Sequence, residues 1–229
     1  MGEITKSLLE AIKLISSLDP EIYGIIGLTL AVTVLSTFIS GILGISAGLA
    51  LGTLNFPGRN LVARIIGTFM GLPPVVAGLI VYMLLSRSGP LGSLSLLFTP
   101  AAMVIAQVII IFPVITGLTI SAVRHGSGRI METCRGLGFS RMKTLYFLIH
   151  ECRYAVISAV LAGYGRAVSE VGAVMLVGGN IRYKTRVMTT AIVLETGMGE
   201  YRKALALGII LLVVSFMINW ILQRFQEGK

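Results

Sequence analysis

Arg166 and Glu170 stand four positions apart in a stretch, Tyr154 to Val177, that is otherwise uncharged. A charge at the centre of a bilayer costs about 2.5–3.5 kcal/mol on insertion scales, so such residues meet a partner or line a cavity. The i, i+4 spacing predicts that both lie on one helix face, where they can pair. Two roles fit that placement: an ion pair that locks the span or a contact between copies, or a direct electrostatic role along an anion path. Ser169, Asn180 and Gln107 are weaker polar candidates nearby. Between Arg124 and Arg153 lies a second constellation, in which Glu132, Gly138 and Ser140 are surrounded by Arg135, Arg141 and Lys143. Gly138 can take the left-handed conformation that closes a helix, and Ser140 can cap the next one. The pattern predicts two short helices at an angle on a mixed-charge surface, either a docking element or a solvated connecting loop.

Other chemistry is poorly served. His125, His150, Cys134 and Cys152 lie in or beside the same segment, but no pair has a C-x₂-C or H-E-x-x-H spacing, so a metal site is not expected. The chain has neither a G-x-x-x-x-G-K-[ST] loop for ATP nor a G-x-S-x-G nucleophile elbow. It is therefore expected to be no enzyme and to need no cofactor, with energy coming from an ion gradient or another subunit. An integral membrane enzyme would need a cluster of catalytic side chains at one face, and one buried Arg/Glu pair is not that.

The elements that position these residues are membrane spans. Of 229 residues, 55% are hydrophobic and 13% charged, and the mean hydropathy is +0.90. About a quarter of a soluble domain is charged. No Asp, Glu, Lys or Arg occurs from Ile22 to Gly58, Ile65 to Ser86, Ser88 to Val123 or Ala204 to Gln223, each long enough to cross a bilayer core. The net charge of +9 suits anionic lipid headgroups and topology rather than nucleic acid.

Along the chain, residues 1–19 read as an amphipathic interfacial helix, with Ile4, Leu8, Ala11, Ile12 and Ile15 on its apolar face. Residues 20–229 read as a transmembrane domain of about five spans. Asp19-Pro20 opens the first, and Asn55 to Arg59 is a turn in which Gly58 takes a positive φ. The second, roughly Leu61 to Leu85, should kink at Pro73-Pro74, and the third, roughly Pro100 to Val123, at Pro113. These prolines free carbonyls and either offer flexible points near a gate or simply kink a rigid helix. The fourth span carries Arg166 and Glu170. Met188 to Leu194 is too short to cross and reads as a re-entrant or gate helix, and Ala204 to Gln223 is the last span. With the loop 124–153 inside, the basic residues divide ten inside to eight outside, a weak positive-inside bias.

Glu132 and Gly138, in a loop before the penultimate full span, resemble the coupling-loop motif of the permease subunits of ABC importers. Thr133 and Cys134 replace the family's two alanines, and His150-Glu151 its usual Leu-Pro. Gly165 to Ala173 is similar to the Arg-x-x-x-Glu-x-Gly segment of the molybdate, tungstate and sulfate permeases. Val177 to Ile181, Thr185-Arg186 and Thr190 to Thr196 resemble the tungstate type in particular, as do Phe56 to Arg59 and Met83 to Gly92.

The resemblance implies a type I importer fold, all-α, in the cell membrane, with the N-terminus outside. It implies a homodimer, an ATP-binding cassette ATPase on the cytoplasmic side and an extracytoplasmic oxyanion-binding protein. Glu132, Arg135, Gly138, Ser140 and Arg141 would couple to the ATPase. Arg166, Glu170, Pro73, Pro74, Gly178, Gly179 and Asn180 would line the path or its gate, with Arg182, Lys184, Arg186, Arg202 and Lys203 at the outer mouth. Tungstate is the expected cargo, then molybdate or sulfate. An ion-coupled secondary transporter is the alternative, although no inverted internal repeat is visible.

Overall fold

The computed structural model describes residues 3–16 and 19–226, without the side chains of 3, 4, 7, 8, 15, 125–131, 135, 141, 142, 145, 222, 225 and 226. Among the described residues the structure is all-helical. The helices are α1 (Glu3–Ser16), α2 (Pro20–Thr53), α3 (Arg59–Phe69), α4 (Pro74–Leu85), α5 (Pro100–Gly136), α6 (Arg141–Val168), α7 (Gly172–Gly178), α8 (Met188–Gly197) and α9 (Tyr201–Gln226). By length and composition α2, α5 up to Arg124, and α9 can each cross a membrane. Counting the broken pairs α3/α4 and α6/α7 as one span each brings the total to five, as the hydropathy pattern predicts.

Helix ends follow local chemistry. The Asp19 carboxylate accepts the Glu21 N–H at 2.8 Å, and Pro20 needs no donor in the first turn. Thr99 does the same for Ala102 at the start of α5, at 3.4 Å. The turn after α2 closes as predicted, with Gly58 at φ +85° and the Arg59 N–H on the Phe56 carbonyl. The Arg59 guanidinium then reaches back, donating to the Leu51 and Gly52 carbonyls at 2.8 and 3.0 Å. A cation on the last carbonyls of a helix also meets the negative end of its dipole.

Three predicted elements differ. The second span is not one kinked helix: it ends at Phe69 and restarts at Pro74. Two successive prolines remove two donors, and Pro74 drives Pro73 into the extended region, φ −63°, ψ 122°. The fourth span breaks after Val168 and resumes at Gly172, which puts Glu170 beyond the end of α6. In the polar segment, α5 runs on to Gly136 and α6 starts at Arg141, so Gly138 joins the ends of two long helices instead of two short ones.

The chain forms two compact units. One comprises residues 1–36, 73–107 and 165–229. Its core gathers Ile22 and Ile25 of α2, Met188 and Ala191 of α8, and Ala206, Leu207 and Ile210 of α9. Ala11 of α1 is buried in the same cluster and Leu14 packs against it, while Leu9 and Ile12 stay exposed. Part of the apolar face read as interfacial thus packs on protein. At the α4–α7 crossing the backbones nearly touch: a Cβ on Gly78 would lie 2.5 Å from the Ala173 Cα.

The other unit comprises residues 37–72 and 108–164. Gly44, Gly48 and Gly52, one per turn of α2, receive Ile115, Thr119 and Val123 of α5, and Gly163 of α6 receives Ile111 and Ile115. Small residues four apart let membrane helices pack closely where no hydrophobic force holds them together.

Gly48→Ala tests this crossing, because the added Cβ would lie 2.5 Å from Thr119. Overpacking of this kind costs about 1–3 kcal/mol, so thermal unfolding in detergent should fall by several degrees. Gly24→Ala, with open space around the new Cβ, should not lower it.

Candidate functional site

Thr29, Thr33 and Ser36 recur on one face of α2 and are all buried. Each hydroxyl of this kind must find a partner in an apolar surrounding. Ser36 donates to Gln107 Oε1 at 2.6 Å, and Gln107 Nε2 donates to the Ala167 carbonyl at 3.1 Å. Thr29 donates to the Ile25 carbonyl and accepts the Met188 N–H at 2.9 Å, tying the start of α8 to α2. The seam encloses a small cavity lined by Thr29, Thr33, Gln107, Glu170 and Thr189.

Glu170 is buried there, in the break between α6 and α7. Its carboxylate accepts the Ala173 N–H at 2.9 Å, and its own carbonyl accepts the Thr189 hydroxyl at 3.0 Å. A negative charge at a helix N-terminus satisfies an orphan donor and suits the dipole. The predicted common face with Arg166 does not form, because α6 ends at Val168. Arg166 is half-buried in the last turn of α6.

The segment from Gly178 to Val187 is held by Thr185, whose buried hydroxyl donates to the Gly178 carbonyl at 2.6 Å and accepts the Ile181 N–H at 2.9 Å. Gly179 sits at φ +72° and Asn180 at φ +50°. Asn180 donates to the Thr190 carbonyl at 3.4 Å. Thr190 closes the segment by accepting the Val187 N–H at 3.1 Å.

The cations read as an outer mouth are largely partnered. Arg182 grips the Glu21 carboxylate with two nitrogens, and Arg186 meets it at 3.3 Å. Hydrogen bonding to that carboxylate also holds the Arg182 guanidinium above its usual range. Lys203 pairs with buried Glu195 at 2.7 Å. Glu21 is shared by two arginines, so these contacts offset part of the positive potential expected here.

At the polar tip Gly138 takes φ +68°, and the Phe139 N–H reaches back to the Cys134 carbonyl at 2.9 Å, a closure that needs the left-handed residue. The Ser140 hydroxyl accepts the Lys143 N–H at 3.4 Å. Glu132 is exposed on α5; the side chains of Arg135 and Arg141 lie outside the described residues. Leu137, Tyr146 and Phe147 are exposed beside them, with Phe139 stacked on Phe147. Among the described residues no three His, Cys, Asp or Glu side chains come together to hold a metal, and Cys134 and Cys152 are free.

Sequence reasoning named Gln107 only as a weak candidate and missed Thr29, Thr33, Ser36, Thr185 and Thr189 as a set. For Thr29, Thr33 and Ser36 the signal was there: hydroxyl residues spaced for one face of a helix inside an uncharged run. Thr185→Val is the sharpest test, because it keeps the shape and removes both hydrogen bonds. Buried groups left unpaired cost about 1–3 kcal/mol each. Hydrogen exchange should rise across 178–187 and leave α9 unchanged.

No protein-family model matches the chain. It is 39% identical over 227 residues, 99% of its length and 100% of the relative's, to the tungstate uptake system permease protein TupB of Peptoclostridium acidaminophilum. It is also 39% identical over 208 residues, 89% of its length and 90% of the relative's, to a probable anion ABC transporter permease protein of Haloferax volcanii. A chain in the crystal structure of an amino acid ABC transporter with histidines shares the fold, with a TM-score of 0.64 at 14% identity over 97% of this chain and 98% of that one. Matched from end to end in this way, the chain belongs to the anion-type permeases of ABC uptake systems, multi-pass membrane subunits that leave ATP hydrolysis to a separate protein.

Proposed function

We propose that this permease carries a tetrahedral oxyanion into the cell, tungstate first, as a homodimer working with an ATPase and an extracytoplasmic binding protein. The full-length likeness to a tungstate uptake permease carries the substrate. The seam offers hydroxyls and one carboxamide beside the Glu170 carboxylate, not a cluster of cations, and a path that held its cargo tightly could not release it. Fine discrimination then falls to the binding protein, which must enclose the ion. Arg166, Glu170, Pro73, Pro74, Gly178, Gly179 and Asn180 act at the path or its gate. In this reading Glu170 works chiefly by holding the start of α7.

Coupling is assigned to the tip around Gly138. An exposed apolar group on a basic surface suits a cleft in a partner, and Leu137, Tyr146 and Phe147 supply it. Glu132, Arg135, Ser140 and Arg141 add the polar rim.

Reconstitution of the permease with its ATPase and binding protein should give ATP-dependent uptake that survives collapse of ion gradients, with tungstate outcompeting molybdate, sulfate and phosphate. Uptake that follows an ion gradient without ATP would instead identify a secondary transporter. Gly138→Val places a β-branched residue at φ +68°, where such residues are outliers. Uptake and substrate-stimulated ATP hydrolysis should fall to background while membrane insertion is unchanged.

A further inference from the structure

The unit formed by residues 37–72 and 108–164 carries eight basic residues against two acidic ones, Glu132 and Glu151. Within it α3 and α5 border a groove of about 380 Å³, lined by Asn60, Arg64 and Gly67 on one side and Gly117, Ile120 and Arg124 on the other. That volume is in the range of small-molecule sites.

Arg59, nearby in sequence, spends its guanidinium on the α2 carbonyls and Asn55. Arg64 and Arg124 differ. Both are exposed, and among the described residues neither has a carboxylate partner. Two cations that share a groove repel each other unless an anion sits between them. A guanidinium presents parallel N–H donors that match two oxygens of a phosphate-like group. The Asn60 carboxamide offers further donors at the same wall. Gly67 leaves open space in the groove, while the place of a side chain at Gly117 is taken by the Met70 thioether, which also lines it.

We propose that this groove binds a tetrahedral oxyanion group through Arg64 and Arg124, with Asn60 as an additional donor. Arg124 is the first charge after the apolar run of α5, which sets the groove at the boundary where lipid phosphates lie. The same donors serve a free oxyanion and the phosphate of a lipid headgroup. The site does not depend on the transport reading and is tested by binding alone.

The experiment uses the full chain in nanodiscs. In phosphatidylcholine discs, tungstate and inorganic phosphate are titrated by calorimetry. In discs containing phosphatidylglycerol, lipid retained by the protein is counted by native mass spectrometry. Arg64→Gln with Arg124→Gln should weaken binding about tenfold or more, and the corresponding Lys pair should fall between, since Lys keeps the charge but loses the fork. Arg87→Gln, a surface charge elsewhere, should bind as the unaltered protein does. Titration in phosphatidylcholine discs identifies a free anion as the occupant; retention of phosphatidylglycerol alone identifies a headgroup. Equal binding by the unaltered protein and a monodisperse Gln pair in both arms, or none by the unaltered protein in either, overturns the proposal.

Discussion

Backbone N–H and C=O groups in an apolar surrounding have no water to bond to, and each one left unpaired costs several kcal/mol. Unbroken helices meet that demand by themselves, whereas this permease breaks its helices at 169–171 and departs from helix again at 179–187. Much of what is specific to its interior answers that constraint. Glu170 takes the Ala173 amide and Thr189 takes the Glu170 carbonyl. Gln107 takes the Ala167 carbonyl at the end of α6. Thr185 and Thr190 hold the segment between α7 and α8. Glu170, Gln107, Thr185, Thr189 and Thr190 thus bond backbone groups where helices stop.

Close packing is the second demand, and it is met with glycine. Gly44, Gly48 and Gly52 on α2 and Gly163 on α6 receive branched side chains of α5, and Gly78 admits the backbone of α7. A membrane interior has no hydrophobic force to press helices together, so contact area must come from surfaces that fit. A helix surface that fits in this way also tolerates little change, and a single methyl at Gly48 meets Thr119.

Charge is distributed with similar economy. Arg59 ends α2, Arg182 and Arg186 share Glu21, and Lys203 neutralises Glu195. Glu195 offsets Lys203, whereas Glu21 offsets only one of its two arginines and Arg59 meets carbonyl dipoles instead of a counter-charge.

Composition alone determined that this is a polytopic helical membrane protein, because repeated uncharged apolar runs of 20 residues or more match the thickness of a bilayer core. Local chemistry determined the Asp19-Pro20 start, the Gly58 turn and the Gly138 stop, since each depends on a few adjacent residues. The likeness of short motifs such as Gly165 to Ala173 was enough to point to the family. Arg166 and Glu170 show where such reading ends. Their spacing implied a shared helix face, yet whether a helix runs through residues 169–171 depends on what can bond to its freed ends. Those partners come from α5 and α8, at positions distant in the chain. Likewise Arg182 and Glu21 are 161 residues apart, and nothing in the sequence order announces that they meet. Only the tertiary structure could decide these points, because burial and hydrogen bonding belong to the set of neighbours and not to the residue.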